Sequence, residues 1–420
     1  MTQTQTKKVY ILGGGFAGIR VAHLLSDSGK NLEINLIDRH PYHINAPVLY
    51  EIANAFVPWE REAVGRVLTD ATTAPYNKIF DGTSVNFLQG VVSAIDPKTG
   101  QFYLTDGHTE KPDFMVISLG SQTQTSNAPG ANNFAFTLHG LDDAVALRKH
   151  IISLFLRYRV ASLTAQQKAF TFVIAGGGPA GVEYSAELSL FIKKLCRLHR
   201  VDREIPKIIL CEETDYVLHA CPGMLRERGH ARLRELGVQM RAHTKILNVR
   251  ADSVEIADGV LVPTQTTIWM AGTRVNDVLL RSNFPINTTG GLIADAHLVV
   301  SGSTNIFAAG DCTYFVDPVT GKVAPDVAWA ALEQADVVAK NILRCLEGGS
   351  LISYFSERRP LLIAVGGKFA LARLGPFQFS GFLAWAIKQL VDLRYLWSIL
   401  PNMMAVRYWL KSLRVKISND

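Results

Sequence analysis

Two copies of a glycine-rich loop constrain the fold of this chain more than any other feature. The first copy is VYILGGGFAGI at residues 9–19, and the second is TFVIAGGGPAGVE at residues 171–183. In each copy a short apolar run rich in β-forming residues precedes G-x-G-x-x-G, and a helical pattern follows it. A strand, a glycine turn and a helix in this order are typical of a dinucleotide-binding unit. Two copies at domain spacing predict two such units in one α/β chain.

The glycines of each loop have separate physical roles. Gly13 permits the tight turn after the strand, Gly15 lets the backbone approach a pyrophosphate, and Gly18 lets the helix pack on the strand. Backbone N–H groups and the positive end of the helix dipole then face the anion. The second loop repeats this pattern, and its candidate nucleotide-binding residues are Gly176, Gly178, Pro179, Ala180 and Gly181.

An acidic residue follows the second strand of each unit. The predicted strand LEINLID ends in Asp38, and the predicted strand KIILCE ends in Glu212. A carboxylate at this position accepts hydrogen bonds from ribose hydroxyls and repels a 2′-phosphate, so Glu212 favours NADH over NADPH. An ordinary glycine-rich turn needs neither the strand nor the acid. The context therefore predicts two dinucleotide sites, as in an enzyme that passes electrons from a nicotinamide to a flavin.

The segments that close the two units are also alike. FMVISLG at residues 114–120 resembles TTIWMAGT at residues 266–273, which indicates an internal duplication. We predict that the second unit is inserted in the first and that a C-terminal region follows both. The predicted bounds are 1–125 with 288–346 for the first domain, 126–287 for the second, and 347–420 for the C-terminal region.

The net charge of +6 is concentrated near the C-terminus. Residues 379–420 carry six Lys or Arg residues against two aspartates, among Trp, Phe, Leu and Met side chains. This mixture predicts contact with an anionic membrane surface and not with nucleic acid. The N-terminal segment lacks a signal-peptide pattern, and the five cysteines form neither a C-x-x-C pair nor a zinc spacing. The cysteine pattern favours a reduced, cytosolic compartment.

Apolar residues recur at helical spacing through this region, on both sides of Pro401. The uncharged stretch 374–387 is too short to span a bilayer, so we predict two amphipathic helices that lie in the membrane interface. The alternative is a helix pair packed on the protein or at a dimer interface. The predicted lipid-facing residues are Phe379, Phe382, Leu383, Ala386, Leu390, Leu393, Trp397, Leu400, Met403, Val406, Leu410 and Leu413, and the cations are Lys388, Arg394, Arg407, Lys411, Arg414 and Lys416.

These motifs give the chain a resemblance to a known family over almost its whole length. The glycine loops, ISLGS, WMAGT and FAAGD resemble the disulfide-reductase-like flavoproteins with two dinucleotide-binding domains. Within that superfamily the chain is most similar to type II NADH:quinone oxidoreductase, a single-subunit NADH dehydrogenase that pumps no protons. The stretch DRHPYHINAPVLYEIA at 38–53, GVEYSAEL at 181–188 and W-x-x-K-x-x-x-D-x-R-Y-L at Trp385–Leu396 carry this closer similarity.

The resemblance implies non-covalent FAD in the first domain and NADH in the second. A hydride would pass from NADH to FAD, and a membrane quinone would then take two electrons. In this superfamily the aspartate of the G-D pair, here Asp311, binds the flavin ribityl chain. The implied FAD residues are Gly13, Gly15, Phe16, Ala17, Gly18, Asp38, Arg39, Val92, Gly120, Gly310, Asp311 and Ala328, and the implied NADH residues are Gly176, Gly178, Pro179, Ala180, Gly181, Glu212, Ala271 and Gly272.

Four further residues are implied in the reaction. Glu183 corresponds to a family acid near the nicotinamide–flavin contact, although a helix N-terminal acid could also simply complement the dipole. Lys388 corresponds to a position near the flavin pocket, or is a lipid-facing cation. The family's A-Q-x-A-x-Q becomes AWAALE here, so Trp329 and Glu333 replace two glutamines beside the quinone. The alternatives for both are packing roles or a different electron acceptor.

The implied partners are a membrane quinone and an anionic lipid surface, with a homodimer through the C-terminal region as a further expectation. The implied location is peripheral, on the cytoplasmic face of the cell membrane. Dithiol reductases and sulfide:quinone oxidoreductase need reactive cysteines at the flavin, and neither Cys312 nor Cys345 forms an obvious pair. A ferredoxin or rubredoxin reductase needs no amphipathic tail. A flavin-bound redox sensor with little turnover is the alternative from another class.

Overall fold

Two parallel five-stranded sheets organise the chain. The computed structural model describes residues 6–57, 63–288, 290–356 and 360–419. Parallel strands require helical crossovers and are buried on both faces, which accounts for their continuous apolar sequences. In spatial order the first sheet contains Ile306–Ala308, Phe114–Ile117, Lys7–Leu12, Leu32–Asp38 and Val85–Gln89.

The second sheet repeats the central arrangement of the first. Its middle strand, Thr171–Ala175, is buried throughout and leads directly into the second glycine loop. In both sheets the closing strand lies on one side of this middle strand and the strand before the acidic residue lies on the other. In spatial order the second sheet contains Ala135–Phe136, Thr266–Trp269, Thr171–Ala175, Lys207–Cys211 and Val238–Arg241.

The remaining strands form small sheets around these two. The segment after each closing strand pairs with the other, because Ser121–Thr123 runs antiparallel to Thr273–Val275. The strand-like sequence GLIADAHLVV at residues 291–300 contributes only the two-residue strand Leu292–Ile293. The other strands are Tyr42–Ile44, Thr73–Pro75, Val92–Asp96, Gln101–Leu104, Thr109–Glu110, Ile246–Val249, Ser253–Ile256, Leu261–Pro263, Thr313–Tyr314, Leu361–Ala364, Ala370–Leu374 and Phe377–Gly381.

A helix follows each glycine loop, and the helix Ala328–Glu347 packs beside the first of these two. Phe16–Asp27 begins directly after Gly15, and Pro179–His199 begins directly after Gly178. Within the described residues no helix is both long and apolar enough to cross a bilayer. The remaining helices are Leu49–Ala53, Ala63–Thr72, Tyr76–Ile79, Ala131–Phe134, Leu141–Tyr158, Leu163–Ala169, Gly223–Glu235, Asp277–Arg281, Phe382–Ile399 and Asn402–Lys416.

The last two helices are the predicted C-terminal pair, and Pro401 separates them as expected, because proline cannot continue a helix. Their burial differs from the predicted pattern. Lys388 and Lys416 are buried, whereas Phe382, Leu383, Leu390 and Trp397 are exposed. The prediction that these two lysines form part of a cationic surface is therefore wrong. Two predicted lipid-facing residues, Leu393 and Leu400, are also buried.

Candidate active site

Two of the three motif glycines in the first loop lie where a side chain would clash with the backbone, and the third does not. Gly13 has a φ of +107°, and a Cβ there would lie 2.2 Å from the carbonyl oxygen of Ser118. A Cβ on Gly18 would lie 2.0 Å from the carbonyl oxygen of Gly13. By contrast, no described atom lies within 4 Å of a Cβ built on Gly15. Packing therefore explains Gly13 and Gly18, while Gly15 leaves open space at the start of the helix.

The second loop has the same division of roles. Gly176 has a φ of +99°, and its Cβ would lie 2.7 Å from the Met270 carbonyl oxygen. A Cβ on Gly181 would lie 1.9 Å from the carbonyl oxygen of Gly176. A Cβ on Gly178 would meet no described atom within 4 Å. The two loops are thus geometrically equivalent, glycine by glycine.

A carboxylate ties each loop to the neighbouring strand. The N–H of Gly14 donates to Asp38 Oδ2 at 2.7 Å, and the N–H of Gly177 donates to Glu212 Oε2 at 2.7 Å. The N–H of Thr214 donates to the other Glu212 oxygen at 2.8 Å. The second strand ends at Cys211, so Glu212 lies one residue beyond it and not within it as predicted. Both carboxylates are fixed beside the open glycine, where a ribose would lie.

These features fit dinucleotides. Neither glycine helix has a side-chain hydrogen bond at its N-cap, Gly15 or Gly178, so the first N–H groups remain available to an anion. An open glycine permits the close approach of a pyrophosphate, and the adjacent carboxylate suits a ribose diol. Pro179 and Ala180 form the first helical turn of the second site, as Phe16 and Ala17 do in the first.

The G-D segment lies beside the first glycine helix. Gly310 has a φ of +82°, and a Cβ there would be 3.5 Å from the Cβ of Ala17. The N–H of Gly310 donates to Oε1 of buried Gln334 at 2.7 Å. Burial and the charge of Asp326 raise the pKa of Asp311 to about 6. The structure thus brings Asp311 to the first loop and adds Gln334, which the sequence analysis missed although it directly follows Glu333.

Glu183 and Lys388 meet although they are far apart in sequence. Lys388 Nζ lies 3.6 Å from Glu183 Oε1, and the N–H of Ala364 donates to the same oxygen at 3.1 Å. Burial raises the pKa of Glu183 even though Lys388 lowers it. The helix begins at Pro179, so Glu183 lies beyond its first turn, and the dipole interpretation does not apply. Lys388 is only 8% exposed, so the lipid-facing alternative is wrong for it.

The Glu183–Lys388 pair belongs to a larger buried cluster of charges. Lys416 Nζ contacts the carboxylate of Asp392, lies 3.7 Å from Glu51 Oε2 and donates to Gln389 Oε1 at 3.0 Å. Burial raises the pKa of Glu51 to about 7, although Lys416 and Lys388 act in the opposite direction. Burial alone would lower the pKa of Lys388, but the carboxylates of Glu183, Asp392 and Glu51 outweigh it and raise that pKa.

Trp329 and Glu333 lie on the helix Ala328–Glu347, one turn apart and partly exposed. Ala331 on this helix faces Gly310, since its Cβ would be 3.7 Å from a Cβ built there. At about 100° per residue, Trp329 and Glu333 lie on the side of the helix opposite to Ala331. The two candidates therefore share one face of the helix, and it is not the face that packs on the G-D segment.

The remaining candidates are distributed around the two loops. Gly120 has a φ of +66° just after the strand that supports Gly13, and Gly272 has a φ of +80° at the corresponding place after the second closing strand. The Gly272 carbonyl accepts from the N–H of Gln124, and Ala271 precedes it. Arg39 is exposed, and Val92 is buried in an apolar cluster with Tyr10 and Leu104. Val92 shares this cluster with Leu12, which directly precedes the first glycine loop.

Comparisons with known proteins agree with this geometry. The model of the pyridine nucleotide-disulphide oxidoreductase family matches residues 7–335. A type II NADH:quinone oxidoreductase from Staphylococcus aureus (strain MSSA476) is 27% identical over 398 residues, which is 94% of this chain and 96% of that relative. The similarity to type II NADH:quinone oxidoreductases that the motifs indicated is confirmed.

Two solved structures show the same fold. NDH2 from Plasmodium falciparum in complex with NADH superposes with a TM-score of 0.84 at 17% identity, covering 98% of each chain. The sulfide:quinone oxidoreductase from Aquifex aeolicus superposes with a TM-score of 0.75 at 18% identity, covering 95% of this chain and 92% of that one. The predicted α/β fold with two dinucleotide-binding units is confirmed. Since the family model matches well over half of its residues, the chain belongs to the pyridine nucleotide-disulphide oxidoreductase family.

Proposed function

We propose that this protein is a type II NADH:quinone oxidoreductase, which oxidises NADH and reduces a membrane quinone without pumping protons. One observation carries the proposal. The chain combines two open glycine loops, each with its own carboxylate, and a C-terminal helix pair that exposes several large apolar side chains. The name of the Staphylococcus aureus relative, which covers nearly the whole chain, supports the same activity.

The two loops have different nucleotides in this proposal. Gly15 and Asp38 hold the pyrophosphate and ribose of FAD, and Asp311 holds its ribityl chain. Gly178 and Glu212 hold the corresponding parts of NADH, and Glu212 disfavours the 2′-phosphate of NADPH by charge repulsion. FAD, when bound, accepts a hydride and passes on two electrons.

The Glu183–Lys388 pair joins the second glycine helix to the C-terminal region. The ammonium of Lys388 and the N–H of Ala364 both act on Glu183 Oε1, which fixes the direction of this carboxylate. Burial raises the pKa of Glu183, so the group holds a proton more readily than an exposed glutamate does. We assign to this pair the positioning of groups between the NADH site and the quinone end of the molecule.

The apolar outer face of the C-terminal helices is suited to a membrane. Phe382 and Leu383 are each 63% exposed, and Met403 is 81% exposed. Several large apolar side chains exposed on the same helix pair are typical of an interaction surface. Arg394 and Arg407 are exposed nearby and can contact anionic lipid headgroups. We propose peripheral attachment to the cytoplasmic face of the cell membrane through this surface, and a homodimer would use the same region.

The domain bounds also remain a proposal. We assign residues 1–125 and 288–346 to the FAD domain, 126–287 to the NADH domain and 347–420 to the membrane-associated region. The strand Ile306–Ala308 supports the discontinuous first domain, because it pairs with Phe114–Ile117 in the first sheet although it follows the whole second sheet in sequence.

The cysteines disfavour the closest rival activities. All five cysteines are free, and Cys312, the one beside the G-D pair, is fully buried. Burial raises the pKa of the Cys312 thiol to about 11, which suppresses the reactive thiolate. Dithiol and sulfide chemistry need an accessible thiolate, so neither is favoured here. The exposed apolar helices disfavour a reductase of soluble ferredoxin or rubredoxin.

The quinone end of the site can be tested on Trp329 and Glu333. Trp329→Ala removes an aromatic stacking surface, and we expect the KM for a soluble ubiquinone analogue to rise about three- to tenfold. Glu333→Gln removes a titratable group, and we expect a changed pH dependence of quinone reduction. Glu347→Gln, on the exposed end of the same helix, is the matched control.

Stopped-flow kinetics separate the two half-reactions for these variants. In our proposal both substitutions alter the reoxidation by quinone and leave the reduction by NADH within about twofold of wild type. Equal slowing of both half-reactions would assign Trp329 and Glu333 to the packing of the helix. Unchanged quinone kinetics in both variants would place the quinone elsewhere.

A further inference from the structure

A buried histidine connects the first glycine loop to the C-terminal helix Phe382–Ile399. His43 is 2% exposed and lies between two polar groups. Its Nδ1 is 3.1 Å from the carbonyl oxygen of Gly14, and its Nε2 is 2.8 Å from the hydroxyl of Tyr395. Gly14 belongs to the glycine loop, whereas Tyr395 belongs to the C-terminal helix.

The chemistry of the two partners fixes the tautomer of His43. The Gly14 carbonyl can only accept a hydrogen bond, so Nδ1 must carry the proton. In a neutral imidazole Nε2 is then an acceptor, and the Tyr395 hydroxyl donates to it. Burial lowers the pKa of His43 to about 4, so the ring remains neutral at physiological pH. The connection is therefore a fixed chain from hydroxyl to imidazole to carbonyl.

Aromatic side chains strengthen this connection. The hydroxyl of Tyr76 also donates to the Gly14 carbonyl, at 2.7 Å. The ring centroid of Phe16, the first residue of the glycine helix, lies 4.5 Å from that of Tyr395 and 5.2 Å from that of His43. Gly14 and Phe16, on either side of Gly15, are thus positioned by side chains from three separate segments of the chain.

We propose that His43 and Tyr395 are positioning residues, which make the affinity of the first glycine loop for FAD depend on the docking of the C-terminal helix. The inference rests on the assignment of FAD to this loop. Because the same helix carries the exposed apolar face, a displacement of the helix is transmitted to the flavin site through two hydrogen bonds. In the second loop the corresponding carbonyl, that of Gly177, instead accepts from the backbone N–H of Leu218 at 2.8 Å, and the same C-terminal helix reaches the helix that follows this loop, through Lys388 and Glu183.

The test is a titration of FAD-depleted full-length protein with FAD, followed by flavin fluorescence. Tyr395→Phe keeps the ring and removes the donor, and we expect the Kd for FAD to rise about three- to tenfold, the range of one neutral hydrogen bond. Tyr184→Phe is the matched control. Tyr184 is fully buried, and its hydroxyl makes no hydrogen bond within the described residues.

Substitutions of His43 separate positioning from packing. The amide N–H of Asn can replace Nδ1–H towards Gly14, so His43→Asn should retain part of the affinity, whereas His43→Leu should lose more. In the His43→Asn background, adding Tyr395→Phe should have little further effect, since the acceptor of Tyr395 is already absent. The Kd for NADH, which uses the other loop, should remain unchanged in every variant.

Several outcomes would overturn the proposal. A wild-type Kd for FAD in Tyr395→Phe, or a loss no larger than in Tyr184→Phe, would show that the contact only packs the helix. Fully additive effects of the His43 and Tyr395 substitutions would show that the two residues act separately. Gly15→Val provides an independent control, because unchanged FAD binding in that variant would refute the assignment of FAD to this loop, whatever the activity with quinone.

Discussion

The two glycine loops have the same backbone geometry but are held in place differently. In each, the second glycine donates to an acid, and the third leaves open space before the helix. The carbonyl of Gly14 is held by the side chains of Tyr76 and His43, whereas the carbonyl of Gly177 is held by one backbone N–H. The comparison shows that a repeated local motif does not imply a repeated environment.

The C-terminal helices are attached to the rest of the protein through two kinds of chemistry. Tyr395 reaches the first loop through neutral hydrogen bonds and aromatic rings. Lys388 and Lys416 reach the second glycine helix and the helix Leu49–Ala53 through buried ion pairs with Glu183 and Glu51. The neutral attachment does not titrate in the folded protein near neutral pH, whereas the ionic attachment contains a group that does.

The largest expected effect separates the loops by their open glycines. Gly15→Val should weaken FAD binding on the order of 100-fold, or about 2.7 kcal/mol, and Gly178→Val should do the same for NADH. Neither should lower the unfolding temperature much, because a Cβ added at either position meets no described atom within 4 Å and both backbones are extended. Equilibrium titrations with each nucleotide check this prediction.

Gly65→Val serves as the control, since Gly65 is exposed and its Cβ would also meet no described atom within 4 Å. If Gly15→Val weakened the binding of NADH as much as that of FAD, the two loops would not bind separate nucleotides. A large loss of stability in either loop variant would mean that the open space is filled in the folded protein.

Substitutions of the two carboxylates, Asp38 and Glu212, should distinguish the two nucleotide sites by a smaller effect. Glu212→Gln removes the negative charge that opposes a 2′-phosphate but keeps the shape of the side chain. We expect the ratio of kcat/KM for NADH to that for NADPH to fall about tenfold, since one unfavourable charge contact is removed. Asp38→Asn should change FAD affinity and leave this ratio unaltered. If this ratio changed in Asp38→Asn and not in Glu212→Gln, NADH would be assigned to the first loop and FAD to the second.

The smallest effect concerns the ionic attachment at Glu51. Burial raises the pKa of Glu51 from 4.5 to about 7, so between these values the folded protein retains a proton that the unfolded chain releases. The free energy of unfolding therefore falls as the pH rises through this window. In Glu51→Gln this contribution is absent, and we expect the fall between pH 5 and pH 7 to be smaller by on the order of 2 kcal/mol.

Urea unfolding at several pH values measures this difference. Glu347→Gln is the control, because Glu347 is exposed and pairs only at the surface with Lys30. A pH dependence in Glu51→Gln equal to that of wild type would show that Glu51 is ionised throughout the range and that its pairing with Lys416 outweighs its burial.

The sequence was sufficient wherever the information is local. It predicted both glycine loops, the acids after the second strands and the division of the tail at Pro401. It was insufficient for burial in the tail. Helical periodicity identifies two faces of a helix but does not show which face packs on the protein. Here Lys388 is on the packed face because its ammonium pairs with the carboxylate of Glu183.

The sequence by itself therefore determined the two dinucleotide-binding units and the family, since a strand, a glycine turn and a helix are encoded within some thirty neighbouring residues. Only the tertiary structure decided which residues surround those units. Tyr395 with His43, Lys388 with Glu183, and Lys416 with Glu51 are each brought together from distant parts of the chain. No local pattern records such pairs, because they form when whole elements pack, and a buried charge becomes stable only after its partner has arrived.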